Sequence, residues 1–111
     1  MTFSQADRRR HARITIELEY HLLLNGKEYT GKTANISISG AYLSSPVPKL
    51  RLSCLSQIGN LTIKRNDELL SLKCEIVHLT TKEDEAFPIG AGVCFLDNDE
   101  QTRQAILKLI P

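Results

Sequence analysis

The sequence predicts a mainly β fold: a six-stranded antiparallel β-barrel with a C-terminal α-helix and a flexible N-terminal arm. Two observations support this fold class. From Ile14 to Phe95, short segments alternate apolar and polar residues, as half-buried strands do. Turn-forming residues separate these segments, and Asn25-Gly26 is the strongest turn signal. A closed barrel is favoured over an open sheet because closure leaves no exposed strand edge.

The chain has 111 residues and a formal net charge of +1, with 41% hydrophobic and 24% charged residues. This length suits one domain, and this composition is ordinary for a soluble globular protein. No window approaches the roughly 18 apolar residues of a membrane span, and the polar start of the chain lacks the apolar core of a secretory signal. We therefore expect a cytoplasmic protein without a membrane span.

The first two strands are predicted to form a hairpin. Apolar and polar residues alternate from Ile14 to Leu24, which predicts one long strand with a single buried face. Asn25 and Gly26 both tolerate positive φ and therefore suit a two-residue hairpin turn. The second strand is expected to run back antiparallel over residues 27–37.

Four further strands complete the predicted barrel, and Gly, Pro and Asn residues set their limits. Residues 44–48, which contain two prolines, are expected to form a loop, and the charged run 82–85 is expected to form a solvated loop tip. The predicted strands are Ala41–Leu43, Leu61–Ile63 as the better of two short strands within 51–65, residues 69–79 after a turn at Asn66-Asp67, and Ile89–Phe95.

The end of the chain predicts a helix over residues 98–110. Residues 97–100 supply N-cap and acidic side chains for a first turn, and the apolar residues that follow have mostly helical spacing. The first 13 residues lack apolar periodicity and are interpreted as a flexible basic arm. The predicted organisation is thus an arm over residues 1–13 and a barrel domain over residues 14–111.

No metal site is recognisable in the sequence, and no cofactor is expected. Cys54, Cys74 and Cys94 are widely spaced, without the close pairs of a zinc site, and each has the apolar or strand-like context of a small core residue. His78 is expected at the end of its strand, on the same face as Cys74 and Ile76. An enzyme is not expected, because no hydrolase triad, phosphate-binding loop or dinucleotide fingerprint is present.

Two stretches carry candidate binding residues. The first is a cluster of four arginines within six positions, and arginine can bind a phosphate or a guanine edge with two parallel hydrogen bonds and can stack on a base. A solvated basic tail is the alternative interpretation. The cluster consists of Arg8, Arg9, Arg10 and Arg13.

The second stretch is Asn35-Ile36-Ser37-Ile38-Ser39-Gly40. On a strand, the Asn and the two Ser side chains would form a polar row on the outside, while the two Ile side chains would enter the core. Gly40 would let a ligand approach closely and has positive φ available. A turn rich in Asn, Ser and Gly is the alternative interpretation.

Together, the two stretches resemble the PilZ family, receptors of the bacterial second messenger cyclic di-GMP. The family pattern is an Arg-x-x-x-Arg arm followed by an [Asp/Asn]-x-Ser-x-x-Gly strand end. Arg9, Arg13, Asn35, Ser37 and Gly40 match this pattern without a gap. The resemblance extends to the closing Gly-Val-x-Phe strand at residues 92–95 and the helix after it, and so covers nearly the whole chain.

The resemblance implies a receptor or adaptor that binds cyclic di-GMP, orders its arm over the ligand and signals to an unidentified partner protein. Arg9 and Arg13 would bind phosphate oxygens and guanine O6/N7 and stack on a base. Asn35 and Ser37 would bind the polar edge of a guanine, with Gly40 leaving room for it. The same polar row includes Ser39, and a second, stacked ligand could be bound by Arg8 or Arg10.

Two alternative functions stay open. A small barrel can bind single-stranded nucleic acid through a basic groove and exposed aromatic residues. Aromatic residues are only 5% of this chain and its basic residues cluster on an arm, so nucleic acid is the less favoured partner. The other alternative is an adaptor that works by protein contact alone, without a ligand.

Overall fold

A computed structural model describes residues 13–82 and 89–110, so that most of the predicted arm and residues 83–85 of the charged run lie outside the described residues. The described residues confirm the predicted fold, a closed six-stranded antiparallel barrel with one C-terminal helix. The strands are β1 (Ile14–Thr15), β2 (Glu19–Leu24), β3 (Lys27–Ile36), β4 (Gly40–Val47), β5 (Ile58–Arg65), β6 (Glu68–Thr80) and β7 (Gly90–Phe95), and the helix is α1 (Glu100–Leu109). The barrel order is β3-β2-β5-β6-β7-β4, and pairing of β4 with β3 closes it.

The predicted long first strand is interrupted, so residues 14–24 form β1 and β2 with a break between them. The cause is Thr33 on β3, whose buried hydroxyl enters the strand pairing. The backbone N–H of Leu18 donates to Thr33 Oγ1 at 2.9 Å, and that hydroxyl donates to the carbonyl of Ile16 at 2.6 Å. Both segments still lie along the same edge of β3, because Ile14 pairs with Ile36 and Glu19 pairs with Lys32.

Both predicted hairpin turns are confirmed. Asn25 and Gly26 have φ values of 51° and 78°, in the left-handed region that their sequence signature favours. Asn66 also has a positive φ, 55°, and leads from β5 into β6. The first turn fixes the register of β2 on β3, with Leu24 opposite Lys27.

The connection between β4 and β5 differs from the prediction. Residues 44–47 are not a loop but continue β4, with Thr30 opposite Val47, and Pro46 is accommodated where the β3–β4 register is irregular. Within 51–65, the first predicted strand is instead a 3-10 turn at Leu52–Cys54, and β5 is longer than the predicted Leu61–Ile63.

Strand β6 contains a β-bulge that the periodicity does not reveal. Ile76 pairs with Val93, and His78 pairs with the next residue of β7, Gly92. Strand β6 therefore has one extra residue, Val77, between the two pairs. Cys74 and Ile76 are fully buried as predicted, whereas His78 lies on the outer face. The prediction that His78 shares the face of Ile76 is therefore wrong.

The core fills the barrel and is covered by α1 through Ile106 and Leu109, both buried. The helix begins after Asp99, whose side chain accepts a hydrogen bond from the N–H of Thr102, and it lies within the predicted range 98–110. Arg65 donates to the carbonyl of Leu109 and fastens the helix end to β5. Cys54 is buried like Cys74, but Cys94 is exposed and is not the core residue that was predicted. Among the described helical residues, no segment is long and apolar enough to cross a membrane.

Candidate functional site

The structure brings the end of the arginine arm next to the polar stretch that follows β3. Arg13 is exposed and directly precedes β1, whose Thr15 pairs with Asn35 and whose Ile14 pairs with Ile36. Arg13 is thus adjacent in the chain to the pair Ile14–Ile36, and Ser37 follows the same pair on the other strand. The two sequence stretches, more than 20 positions apart in the chain, therefore meet at one end of the barrel. Residues 8–10 of the cluster lie outside the described part of the chain.

The predicted outer row of Asn35, Ser37 and Ser39 does not form. Strand β3 ends at Ile36, so that only Asn35 keeps a strand position and residues 37–39 turn into β4. Ser37 is only 3% exposed, and its hydroxyl accepts hydrogen bonds from the N–H groups of Ser39 and Gly40, both at 3.2 Å. Because both bonds lie within the turn, the buried Ser37 side chain stabilises the turn between β3 and β4.

Position 40 requires a glycine because two strands approach each other closely there, and not because of an unusual backbone conformation. Its φ is outside the left-handed region, so the positive φ considered from sequence is not used. A Cβ at this position would overlap the carbonyl oxygen of Val93 on β7. The glycine therefore allows the start of β4 to pack tightly against β7, which holds the turn at residues 37–39 in place.

Asn35 is the most unusual polar group of the site. Its residue is partly exposed, yet its carbonyl oxygen Oδ1 is buried and has no hydrogen-bond partner among the described residues. A buried acceptor without a partner typically destabilises a protein by about 1–3 kcal/mol. The terminal torsion of Asn is soft, so a small rotation can turn this oxygen towards an incoming donor.

The outer face beside Asn35 continues across three more strands. Asn35 pairs with Tyr42 on β4, Tyr42 pairs with Gly92 on β7, and Gly92 pairs with His78 on β6. The rings of Tyr42 and His78 are 6.4 Å apart at a tilt of 45°, and a Cβ on Gly92 would lie 3.3 Å from Cβ of His78. Directly paired residues share a face, so an amide and two aromatic rings lie in one row.

Sequence reasoning did not single out Tyr42 and His78, which lie in the same row as Asn35. Tyr42 was assigned to a short apolar strand, and His78 was assigned to the buried face because the bulge is not visible in the periodicity. Tyr42 is only 5% exposed, so of the two rings only that of His78 is open to a planar, polar ligand such as a nucleobase. In the described ranges 13–82 and 89–110, no group of three metal-ligating side chains is found.

Comparison with known proteins identifies a family for this chain. The model of the PilZ domain family matches residues 7–110, which includes the arginine arm, the polar turn and the helix. No curated protein matches the sequence.

Several solved structures share the fold. The PilZ domain of CeSA from a cellulose-synthesizing bacterium has a TM-score of 0.66 at 18% identity, over 89% of this chain and 94% of that chain. The Bacillus subtilis inhibitor of motility MotI/DgrA has a TM-score of 0.73 at 14% identity, over 92% of this chain but only 48% of that chain. The PilZ domain of YcgR from Escherichia coli, solved with c-di-GMP, has a TM-score of 0.72 at 11% identity, over 93% and 88% of the two chains. At these identities the structural likeness establishes the shared fold.

Proposed function

The chain belongs to the PilZ domain family, and from this premise we propose that it is a receptor for cyclic di-GMP. The ligand is a dianion with two guanines, so it offers phosphate oxygens to arginine and N–H donors to an amide oxygen. The YcgR PilZ domain, solved with c-di-GMP, has the same fold and supports this ligand class.

The observation that carries the proposal is the position of the unpaired Asn35 oxygen beside the end of the arm. Thr15, two residues after Arg13, is the pairing partner of Asn35. A guanine seated there would donate an N–H to Oδ1 of Asn35 and at the same time come within reach of the Arg13 guanidinium. The free protein leaves this acceptor buried without a described partner, and the ligand supplies one.

The structure supports different roles for the motif residues. Arg9 and Arg13 are proposed to bind phosphate and guanine, and Asn35 the guanine edge. Since the hydroxyl of Ser37 is buried in the turn, its proposed contribution is to hold Asn35 and the turn in position, in addition to any contact with the ligand. Gly40 is proposed to act in the same way, by allowing β4 to approach β7.

The remaining predicted ligand contacts are Ser39, Arg8 and Arg10. Ser39 is partly exposed next to the buried Ser37, so its side chain can contribute at the rim of the site. Arg8 or Arg10 is proposed to bind a second, stacked ligand. A calorimetric stoichiometry near one per protomer would refute that part of the proposal.

The proposed output is the ordering of the arm over the ligand. Fixing each backbone residue costs about 1–2 kcal/mol, so ordering the arm requires strong charged and stacking contacts. The ordered arm then presents a new surface to a partner protein, and the domain acts by binding and not by chemistry on the ligand. The cytoplasmic location predicted from the sequence stays a prediction.

Calorimetric titration with cyclic di-GMP tests the proposal, with a short single-stranded oligonucleotide as the competing ligand. We expect saturable binding of the dinucleotide and no comparable binding of the oligonucleotide. Amide exchange with and without saturating ligand tests the mechanism, because residues 5–13 should gain protection. Absence of heat and of a thermal shift with cyclic di-GMP would exclude the receptor function, whereas binding without added protection would exclude only the ordering of the arm.

A further inference from the structure

His78 lies outside the two sequence motifs but in the same row of paired residues as Asn35. The bulge in β6 inserts Val77 before it, and both Val77 and His78 are exposed. Bulges redirect side chains and are over-represented next to active sites, so the outward position of His78 calls for a functional explanation. From β1 to β6, the row consists of Thr15, Asn35, Tyr42, Gly92 and His78.

The imidazole of His78 is exposed, yet neighbouring side chains hold it in place. A hydrogen bond of 3.0 Å joins its Nε2 to Oγ1 of Thr80, which is buried. On the side of β7, the ring of Tyr42 lies 6.4 Å from the imidazole, and Gly92 between them has no side chain to separate the two rings. A ring that is fixed before a ligand arrives loses little conformational entropy on binding.

An exposed and fixed aromatic ring suits the flat face of a nucleobase. Histidine is among the side chains on which proteins stack unpaired bases, and stacking accepts any base because every base has a π-face. Tyr42 is buried and cannot offer its face to a ligand. Among the described residues of the row, His78 therefore presents the one open ring, and Asn35 presents the unpaired acceptor.

We propose that His78 is a further ligand-binding residue, whose ring stacks on the second guanine of cyclic di-GMP while Asn35 binds the edge of the first. This inference rests on the proposed function and adds a residue to the same site. It assigns two kinds of recognition to the two halves of the ligand. One base is recognised by its hydrogen-bonding edge, and the other is held by its face.

The strand order places the two contacts along one path. Asn35 pairs with Thr15 on one edge of β3 and with Tyr42 on the other, so the arginine arm and His78 lie on opposite sides of Asn35. A ligand that meets the arm and is held at Asn35 therefore extends towards β7 and His78. The Asn35–Tyr42 pairing and the ring separation place the Asn35 amide at most about 15 Å from the imidazole, a distance that a ligand of two nucleotides can span.

Calorimetric titration of matched variants with cyclic di-GMP tests the proposal. His78→Ala should weaken binding about five- to 150-fold, the effect of removing an aromatic ring from a stacked base. His78→Phe keeps a flat ring and should bind within about threefold of the wild-type affinity. The control His21→Ala removes a half-exposed histidine on β2, where its partner is Glu28, and should bind like the wild-type chain.

Proton NMR of the imidazole rings shows whether His78 contacts the ligand directly. A base stacked on the ring shields its protons, so the His78 signals should move upfield at saturating cyclic di-GMP, while those of His21 should stay in place. Comparison with the two alanine variants assigns the signals. The thermal transition of each free variant should match that of the wild-type chain, which shows that the barrel is intact.

Normal affinity of His78→Ala would overturn this inference and leave the receptor function standing. Equal losses in the alanine and phenylalanine variants, or His78 signals that do not move, would overturn it as well, because they would assign His78 a structural role through its hydrogen bond with Thr80. If the wild-type chain does not bind cyclic di-GMP, the receptor function fails and this inference fails with it.

Discussion

Replacing Asn35 with alanine should affect the stability of the free protein and its affinity for the ligand in opposite directions. In the free protein, Oδ1 of Asn35 is buried without a partner among the described residues. Deleting it should relieve the penalty of an unsatisfied acceptor, about 1–3 kcal/mol. An ordinary substitution costs about 1 kcal/mol in lost contacts. The expected result is a free energy of unfolding that is unchanged or up to about 2 kcal/mol higher.

Ligand binding should change in the opposite direction. A good hydrogen-bonded contact to a base edge contributes about 1–3 kcal/mol, so Asn35→Ala should weaken cyclic di-GMP binding about five- to 150-fold. Urea denaturation without ligand measures the first effect, and calorimetric titration measures the second. In a domain of this size, each kcal/mol gained also raises the melting temperature by about 4–8 °C.

Two matched variants sharpen the Asn35 experiment. Asn60→Ala removes an exposed amide on β5 and should change neither quantity. Asn35→Asp keeps an acceptor and should retain most of the binding, since the family pattern accepts Asp there. The reasoning is refuted if Asn35→Ala destabilises the free protein by more than about 1 kcal/mol and binds the ligand with normal affinity.

Three further predictions address the rest of the molecule. Arg9→Ala or Arg13→Ala should weaken calorimetric binding at least about tenfold while the thermal transition stays unchanged; normal affinity in both would exclude this site. Ser37→Ala should lower the free energy of unfolding by about 1–3 kcal/mol in urea denaturation, because two turn N–H groups lose their acceptor; a neutral result would contradict its role in the turn. Burial raises the pKa of Cys74 to about 12, so in the folded protein at pH 8 a thiol reagent should modify the exposed Cys94 and spare Cys74 until urea is added; equal rates would contradict the assigned burial.

The sequence alone was sufficient wherever the decisive interaction is local. The Asn25-Gly26 turn was predicted because two adjacent residues must adopt positive φ, and few other residues do so readily. The C-terminal helix was predicted because its cap and its apolar spacing lie within about a dozen residues. The two candidate binding stretches could also be recognised from sequence, because the spacing within each motif does not depend on the fold.

Tertiary structure decided the features that depend on partners far apart in the chain. The first strand breaks because the hydroxyl of Thr33 bonds to Ile16, 17 residues away, and alternation within residues 14–24 carries no sign of it. The bulge in β6 turns His78 outward because β7 supplies one residue fewer at that point, which no pattern on β6 alone can show. Strand periodicity placed Ser37 outside, but it is buried because β3 ends at Ile36 and the chain turns into β4, whose Gly40 packs closely against Val93 on β7. Periodicity determines which residues can face the core, and pairing between distant strands determines which of them do.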